Sequence, residues 1–238
     1  MAIWNPWHGC HKKSSGCMNC YMFRRDAMYE KDSTKVEKTS TFDLAIKKKR
    51  DGSYKLTKED GTVFVCMTSD FFVEEADEWR KEIWAMIKER QDLDFYIITK
   101  RIERFNVSLP DDWGDGYDNV TICSTCENQE MYDERLPILL SLPIKYKMII
   151  CEPLLGKVDI EKYLKSGQIL HVTCGGESGP KARLCNYDWI LSIREQCIKY
   201  GVTFYFKQTG AKFMKDGKVY LIERKNQMKQ ARKANINV

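Results

Sequence analysis

The chain has 238 residues, 43% hydrophobic and 31% charged, a globular balance that excludes disorder and low complexity. Its net charge of +5 is too small to commit it to a polyanion, and no run approaches the roughly 20 apolar residues of a bilayer-spanning helix. The opening residues lack a basic segment followed by an apolar one, so the expectation is a cytoplasmic protein with no membrane partner. Ten cysteines in a chain of this length, several inside apolar runs, suit a reducing compartment better than a disulfide framework.

In chain order, the first feature is Trp4-Asn5-Pro6-Trp7-His8-Gly9-Cys10, followed by Ser14-Ser15-Gly16-Cys17-Met18-Asn19-Cys20-Tyr21. Cys10, Cys17 and Cys20 have the spacing C-x6-C-x2-C, in a Gly-containing loop that leads towards a helix. Thiolates this close repel unless a metal takes them up. Three can ligate three irons of a 4Fe-4S cluster and leave the fourth iron open. The same cysteines with His8 or His11 would instead make a Cys3His zinc set. Trp4 and Trp7 either cover such a group or pack the base of the fold. Residues 30–61 are Lys-rich and turn-rich, and read as an insertion or small hairpin between the first helix and the second strand.

Apolar runs of strand length then recur at Val63–Met67, Phe95–Ile98, Val120–Cys123, Lys147–Cys151, Ile169–Cys174 and Val202–Phe206. Trp79, Ile83, Trp84 and Ile87 share one helix face, as do Trp189, Ile190, Ile193 and Cys197, with Asn186 placed to cap the second helix. Asp111–Gly116 reads as a surface loop. Cys66, Cys123, Cys151 and Cys174 read as core thiols and His171 as a satisfied core histidine. Cys123-Ser124-Thr125-Cys126 has no second C-x2-C to complete a metal site.

Near-continuous apolar strands alternating with amphipathic helices indicate a parallel sheet covered by helices. Polar residues fall at almost every strand end: Ser69 and Asp70, Lys100 and Arg101, Ser124 to Asn128, Glu152, Gly175 to Ser178, and Lys207. So many contributing strand ends suit a barrel mouth better than one switch point of an open sheet. The expected fold is therefore α/β, a partial (β/α) barrel of about six parallel strands over residues 1–210. A basic tail follows at 211–238, with eight Lys and Arg against Asp216 and Glu223. It reads as a solvated helix or frayed terminus, or as a nucleic-acid contact through Lys225, Arg232 and Lys233.

The chain resembles the radical S-adenosylmethionine (SAM) superfamily and, more closely, its phage-associated three-cysteine-motif branch. The segments that carry the resemblance run in order from about Asn5 to Gly210: Asn5-Pro6-Trp7-x-Gly9-Cys10, Ser69-Asp70-Phe71-Phe72, Thr99-Lys100-Arg101, Glu127-Asn128-Gln129, Glu152-Pro153-Leu154-Leu155-Gly156, Gly175-Gly176-Glu177-Ser178-Gly179 and Phe206-Lys207-Gln208. The resemblance implies a 4Fe-4S cluster on Cys10, Cys17 and Cys20, with SAM on the open iron. It also implies reductive cleavage of SAM to a 5′-deoxyadenosyl radical and hydrogen abstraction from a macromolecule. An electron donor such as flavodoxin or ferredoxin would serve it. Ser69, Asp70, Lys100, Glu127, Glu152, Gly175, Gly176, Glu177 and Ser178 are the candidate SAM-binding residues. Asp70 reads equally as a helix cap or strand-end turn, Glu152 equally as half of a structural ion pair, and Gly175 to Gly179 also as an ordinary strand-to-helix turn. Two features depart from the superfamily pattern: the first cysteine interval is six residues, not three, and Asn19 stands where an aromatic usually precedes the last cysteine. The substrate expected from the basic tail is nucleic acid, with a peptide or protein as runner-up. The alternative to an enzyme is a zinc- or cluster-stapled module that binds nucleic acid without chemistry.

Overall fold

A curled parallel sheet organises the computed structural model, which describes residues 1–238. In chain order the elements are β1 (Ala2–Trp4), β2 (Trp7–His8), α1 (Tyr21–Ala27), β3 (Glu37–Lys38), β4 (Val63–Val65), α2 (Asp77–Glu89), β5 (Phe95–Thr99), β6 (Val120–Thr125), α3 (Gln129–Ser141), β7 (Tyr146–Cys151), α4 (Glu161–Leu164), β8 (Ile169–Gly175), β9 (Cys185–Asn186), α5 (Tyr187–Lys199), β10 (Thr203–Gln208), β11 (Lys212–Lys215), β12 (Lys218–Leu221) and α6 (Arg224–Lys233).

The main sheet has the order β1-β4-β5-β6-β7-β8-β10, all pairs parallel. Strands thus follow one another around an arc in chain order, which is the half of a (β/α) barrel. There are seven strands against the expected six or so, because the three-residue β1 joins the edge. The convex side is sealed by helices. On α2, Ile83, Trp84 and Ile87 are buried, each contributing about 1.5–3 kcal/mol of burial. On α5, Ile190, Ile193 and Cys197 do the same, and the Asn186 side chain caps the helix by accepting from the Asp188 N–H.

Residues 30–61 include β3, which pairs antiparallel with β2, and a hairpin closed at Lys48 and Tyr54. Buried Arg90 anchors this insertion by donating to the Ala45 and Leu56 carbonyls. The loop 111–116 is not wholly on the surface. Trp113 is buried against Trp84 and Phe105, with its indole N–H on the Pro143 carbonyl. Trp4 and Trp7 are both buried in the core.

The stretch 211–238 is neither frayed nor a free helix. β11 pairs with β9 and β12 as a small second sheet. Gln227 and Ala231 of α6 are buried, and Phe204 of the edge strand β10 exchanges two backbone hydrogen bonds with Val238. An open strand edge invites foreign pairing, and here the chain covers its own. A solvated helix was among the expectations for this stretch, but its docking was not readable, since charge dominates its composition.

Candidate functional site

The carboxyl ends of the strands enclose a cavity of about 250 Å³. Cys10, Cys17 and Cys20 line one wall. Facing them are Ser69 and Asp70 after β4, Lys100 and Arg101 after β5, Glu152 after β7, Gly176, Glu177 and Ser178 after β8, and Lys207 of β10. Residues as far apart in sequence as Cys10 and Lys207 thus converge on one mouth. Glu127 and Gly175 lie behind its wall.

The cysteine loop is held from the strand ends. Gly9 has φ +99, and a Cβ there would lie 2.2 Å from the Lys35 carbonyl oxygen, so only glycine lets the loop pass. Its carbonyl accepts from the Ser69 hydroxyl. Arg101 donates to the His11 carbonyl at 2.6 Å, and its Nη1 stands 3.7 Å from the Cys10 Sγ. Glu127 is fully buried with Arg135 at 3.1 Å, and accepts from the Gly16 N–H at 2.7 Å. A Cβ on Gly16 would sit 2.8 Å from that carboxyl carbon. Asn19 donates to Glu177 and to the Lys181 carbonyl, both at 2.9 Å. Arg183 chelates Glu177 and also donates to the Ser15 carbonyl.

These contacts assign most of the carboxylates to architecture. Asp70 accepts from Thr99 Oγ1 at 2.7 Å, the Lys100 N–H at 2.9 Å and the Phe72 N–H at 3.0 Å. Burial would raise the Glu177 carboxyl, but hydrogen bonds from Arg183 and Asn19 outweigh it and hold the pKa below the usual value. Glu127 follows the same pattern, with a loop serine, the Gly16 N–H and Arg135 overcoming burial.

Two polar groups remain open. Lys100 makes no side-chain hydrogen bond or ion pair. Glu152 takes Lys207 at 2.8 Å on one oxygen, while its Oε1 is buried without a partner. A Cβ at Gly175 would lie 2.6 Å from that Oε1, so Gly175 makes room for the carboxylate. Gly176 lets the backbone approach the Thr209 carbonyl. Ser178 is tied down, its carbonyl accepting from Arg24 and its hydroxyl from Arg224 of α6.

The donor set fits a metal cluster. All three loop thiols are free and half-buried on one wall. Burial, then Asp70 and the neighbouring cysteines, push the Cys10 thiol up to about 12 despite Arg101, so a cationic metal group is what would make it a thiolate. No three His, Cys, Asp or Glu side chains are grouped around a single ion; a cubane spreads its ligands over three irons. His8 pairs with buried Asp26 at 2.8 Å and lines a different cavity, while His11 meets Glu75 at 2.5 Å. Both imidazoles thus have carboxylate partners.

The remaining expectations fall elsewhere. Cys123 and Cys126 are buried core thiols. His171 is satisfied by Thr203 at 2.7 Å and Thr173 at 3.1 Å, but it lines the open concave face rather than the core. Lys225, Arg232 and Lys233 are exposed on α6 and do not line the cavity. Missed from sequence were the tethering roles of Asn19, Arg24 and Arg183. Missed too was Cys66, a core thiol that also lines the cavity and carries a strained φ of +59.

The family model described as "Protein of unknown function (DUF5131)" matches residues 1–236. Neither a curated protein nor a solved structure matches the chain.

Proposed function

The chain belongs to the DUF5131 family, and we propose that it is an iron–sulfur enzyme of radical SAM type. The observation that carries this reading is the convergence of Cys10, Cys17 and Cys20 with polar residues from five strand ends around one cavity. A purely structural staple needs no such mouth. Cys10, Cys17 and Cys20 would hold a 4Fe-4S cluster, which would pass one electron from a donor such as flavodoxin or ferredoxin to SAM and so start hydrogen abstraction.

The chain's own residues then have defined tasks. Arg101 holds the loop at His11 and Glu127 holds it at Gly16, so the loop keeps its shape without the metal. Glu152 Oε1 accepts from a ligand ammonium or hydroxyl, which relieves its unpartnered burial. Lys100 meets a ligand carboxylate. Glu177 keeps Asn19 and Arg183 in place and has no oxygen to spare.

The substrate should be macromolecular, because the half-barrel leaves its concave face open. A second cavity of about 700 Å³ continues from the first, with Ile98 and Ile150 lining both. No Lys or Arg lines it, and Asp94 and Asp118 do, so a phosphate backbone finds no counter-charge there. A peptide suits it better than the nucleic acid expected from the tail.

Anaerobic reconstitution should load about four iron and four sulfide per chain, and Cys17→Ala should lose most of both. Stoichiometric zinc without iron in anaerobically prepared protein would overturn the reading.

A further inference from the structure

The C-terminal unit carries a second concave feature, distant in sequence from the three loop cysteines and sharing only the strand β10 with the first cavity. Tyr187, Phe206, Phe213, Tyr220 and Ile222 line a cleft of about 460 Å³, with Lys215 and Lys233 among its lining residues. Its floor is an aromatic cluster: Phe206 and Phe213 stack at 6.1 Å, and Tyr187 meets Phe213 edge-on at 5.9 Å. Lys215 Nζ lies 5.2 Å from the Tyr187 ring centroid, so one cation already sits over the aromatic floor.

The wall of this cleft is also a bare strand edge. β12 pairs with β11 on one side only, and all four of its residues are exposed. Val219 is 52% exposed and Leu221 83%. Lysines at an edge ordinarily guard it against foreign strands. A guarded edge, however, has no use for an exposed Leu221 lining an apolar cleft. Charge supplies the other half of the description. Lys212, Lys215, Lys218, Lys229, Arg232 and Lys233 make no ion pair, and the one pair on this unit is Lys225 with Glu223.

We propose that β12 and the adjoining cleft are a docking site for an extended acidic peptide segment of a partner protein. The segment adds a strand along the free edge of β12. One of its apolar side chains enters the Tyr187–Phe213–Tyr220 cleft, and flanking carboxylates meet Lys215 and Lys233. Strand addition takes its affinity from main-chain hydrogen bonds and its selectivity from a side-chain pocket, and both parts are present here. A nucleic acid would use the cations but not the free backbone edge or the aliphatic wall of Ile222 and Ala234. The site is also joined to the mouth: Arg224, the first residue of α6, donates to the Ser178 hydroxyl of the cavity wall. A docked partner is thereby held beside the cavity that the cysteines line. The docking itself does not depend on what those cysteines bind.

The test is fluorescence anisotropy on the full chain with a labelled short peptide of alternating Glu and Val, its Lys/Val counterpart, and a labelled DNA duplex. The Glu/Val peptide should bind, the Lys/Val peptide should not, and binding should weaken as salt rises. Lys215→Glu combined with Lys233→Glu should weaken it by about tenfold or more. Leu221→Asp, a change at an exposed position that leaves the fold intact, should do so independently. Circular dichroism melts of each variant should match the parent. Failure of the Glu/Val peptide to bind would overturn the proposal, as would tighter binding of the duplex or affinity indifferent to all three substitutions.

Discussion

Cys10, Cys17 and Cys20 stand half-buried on a cavity wall, whereas Cys66, Cys123, Cys126, Cys151, Cys174, Cys185 and Cys197 are buried. The two sets have the same side chain and different surroundings. Core thiols replace a small aliphatic group: Cys151 and Cys174 are partners on adjacent strands, and Cys151 also meets the Tyr132 hydroxyl at 2.5 Å. Burial alone pushes the Cys185 thiol up to about 12 and the Cys123 thiol well above the ordinary value, and burial together with neighbouring Cys151 raises Cys174. The loop thiols are instead surrounded by polar tethers, with Arg101 against one of them. A cysteine's role in this chain is thus set by what the strand ends bring to it, and Cys66 marks the border by belonging to both the core and the cavity wall.

The comparison breaks most visibly under alkylation. In metal-free folded protein, iodoacetamide should modify only the loop thiols, and Cys10 more slowly than a thiol of ordinary pKa because its thiolate is scarce. The seven buried thiols should react only after denaturation, at rates lower by orders of magnitude until then. Peptide mapping by mass spectrometry reads both results, and early labelling of Cys151 or Cys174 would collapse the distinction.

The next effect in size lies in the tether. Glu127→Ala removes the partner of fully buried Arg135 and frees the Gly16 N–H, so urea unfolding should show a loss of about 3–5 kcal/mol. Removing a core thiol costs less. Cys174→Ala should lower stability by roughly 1–2 kcal/mol through a small cavity, and it should leave iron content after reconstitution unchanged. A Cys174→Ala protein that loses iron would mean the two sets are not separate.

The smallest effect is one of pH. The Glu177 carboxyl is held below its unfolded value, so its stabilisation is full above that value, near about 4.3, and is lost as the pH falls through the folded pKa. Glu177→Gln should therefore reduce the acid-side slope of stability while changing little of it on the alkaline side. A slope identical to the parent would show that Arg183 and Asn19 do not stabilise the charged form.

Much of the fold was legible because each strand is a local apolar run and each helix a local periodicity. Val120 to Cys123 and Ile169 to Cys174 announce themselves within a few residues. The cysteine loop was legible for the same reason, its three thiols falling within eleven positions. The network around it was not. Gly16 and Glu127 are 111 positions apart, Asn19 and Glu177 are 158 apart, and Ser15 and Arg183 are 168 apart. No spacing rule reaches across such intervals. Asp70 and Glu177 therefore read as ligand groups when their oxygens already serve the chain. The C-terminal unit was obscured differently, since its lysines gave no sign of Ala231 and Gln227 turning inward.

The distances along the chain between the cysteine loop and its tethers also lead to an expectation about the order of assembly. Closing loops of more than a hundred residues is entropically slow and is repaid only after the sheet has formed. The loop around Gly16 should therefore take its shape late, on a scaffold that is already folded, and hydrogen-exchange protection at the Gly16 N–H appearing before that of the sheet would contradict it. In zinc fingers, by contrast, ion and fold arrive together. If the proposed cluster is bound, a chelator should strip it and leave a folded chain, and its assembly would take place on a finished protein.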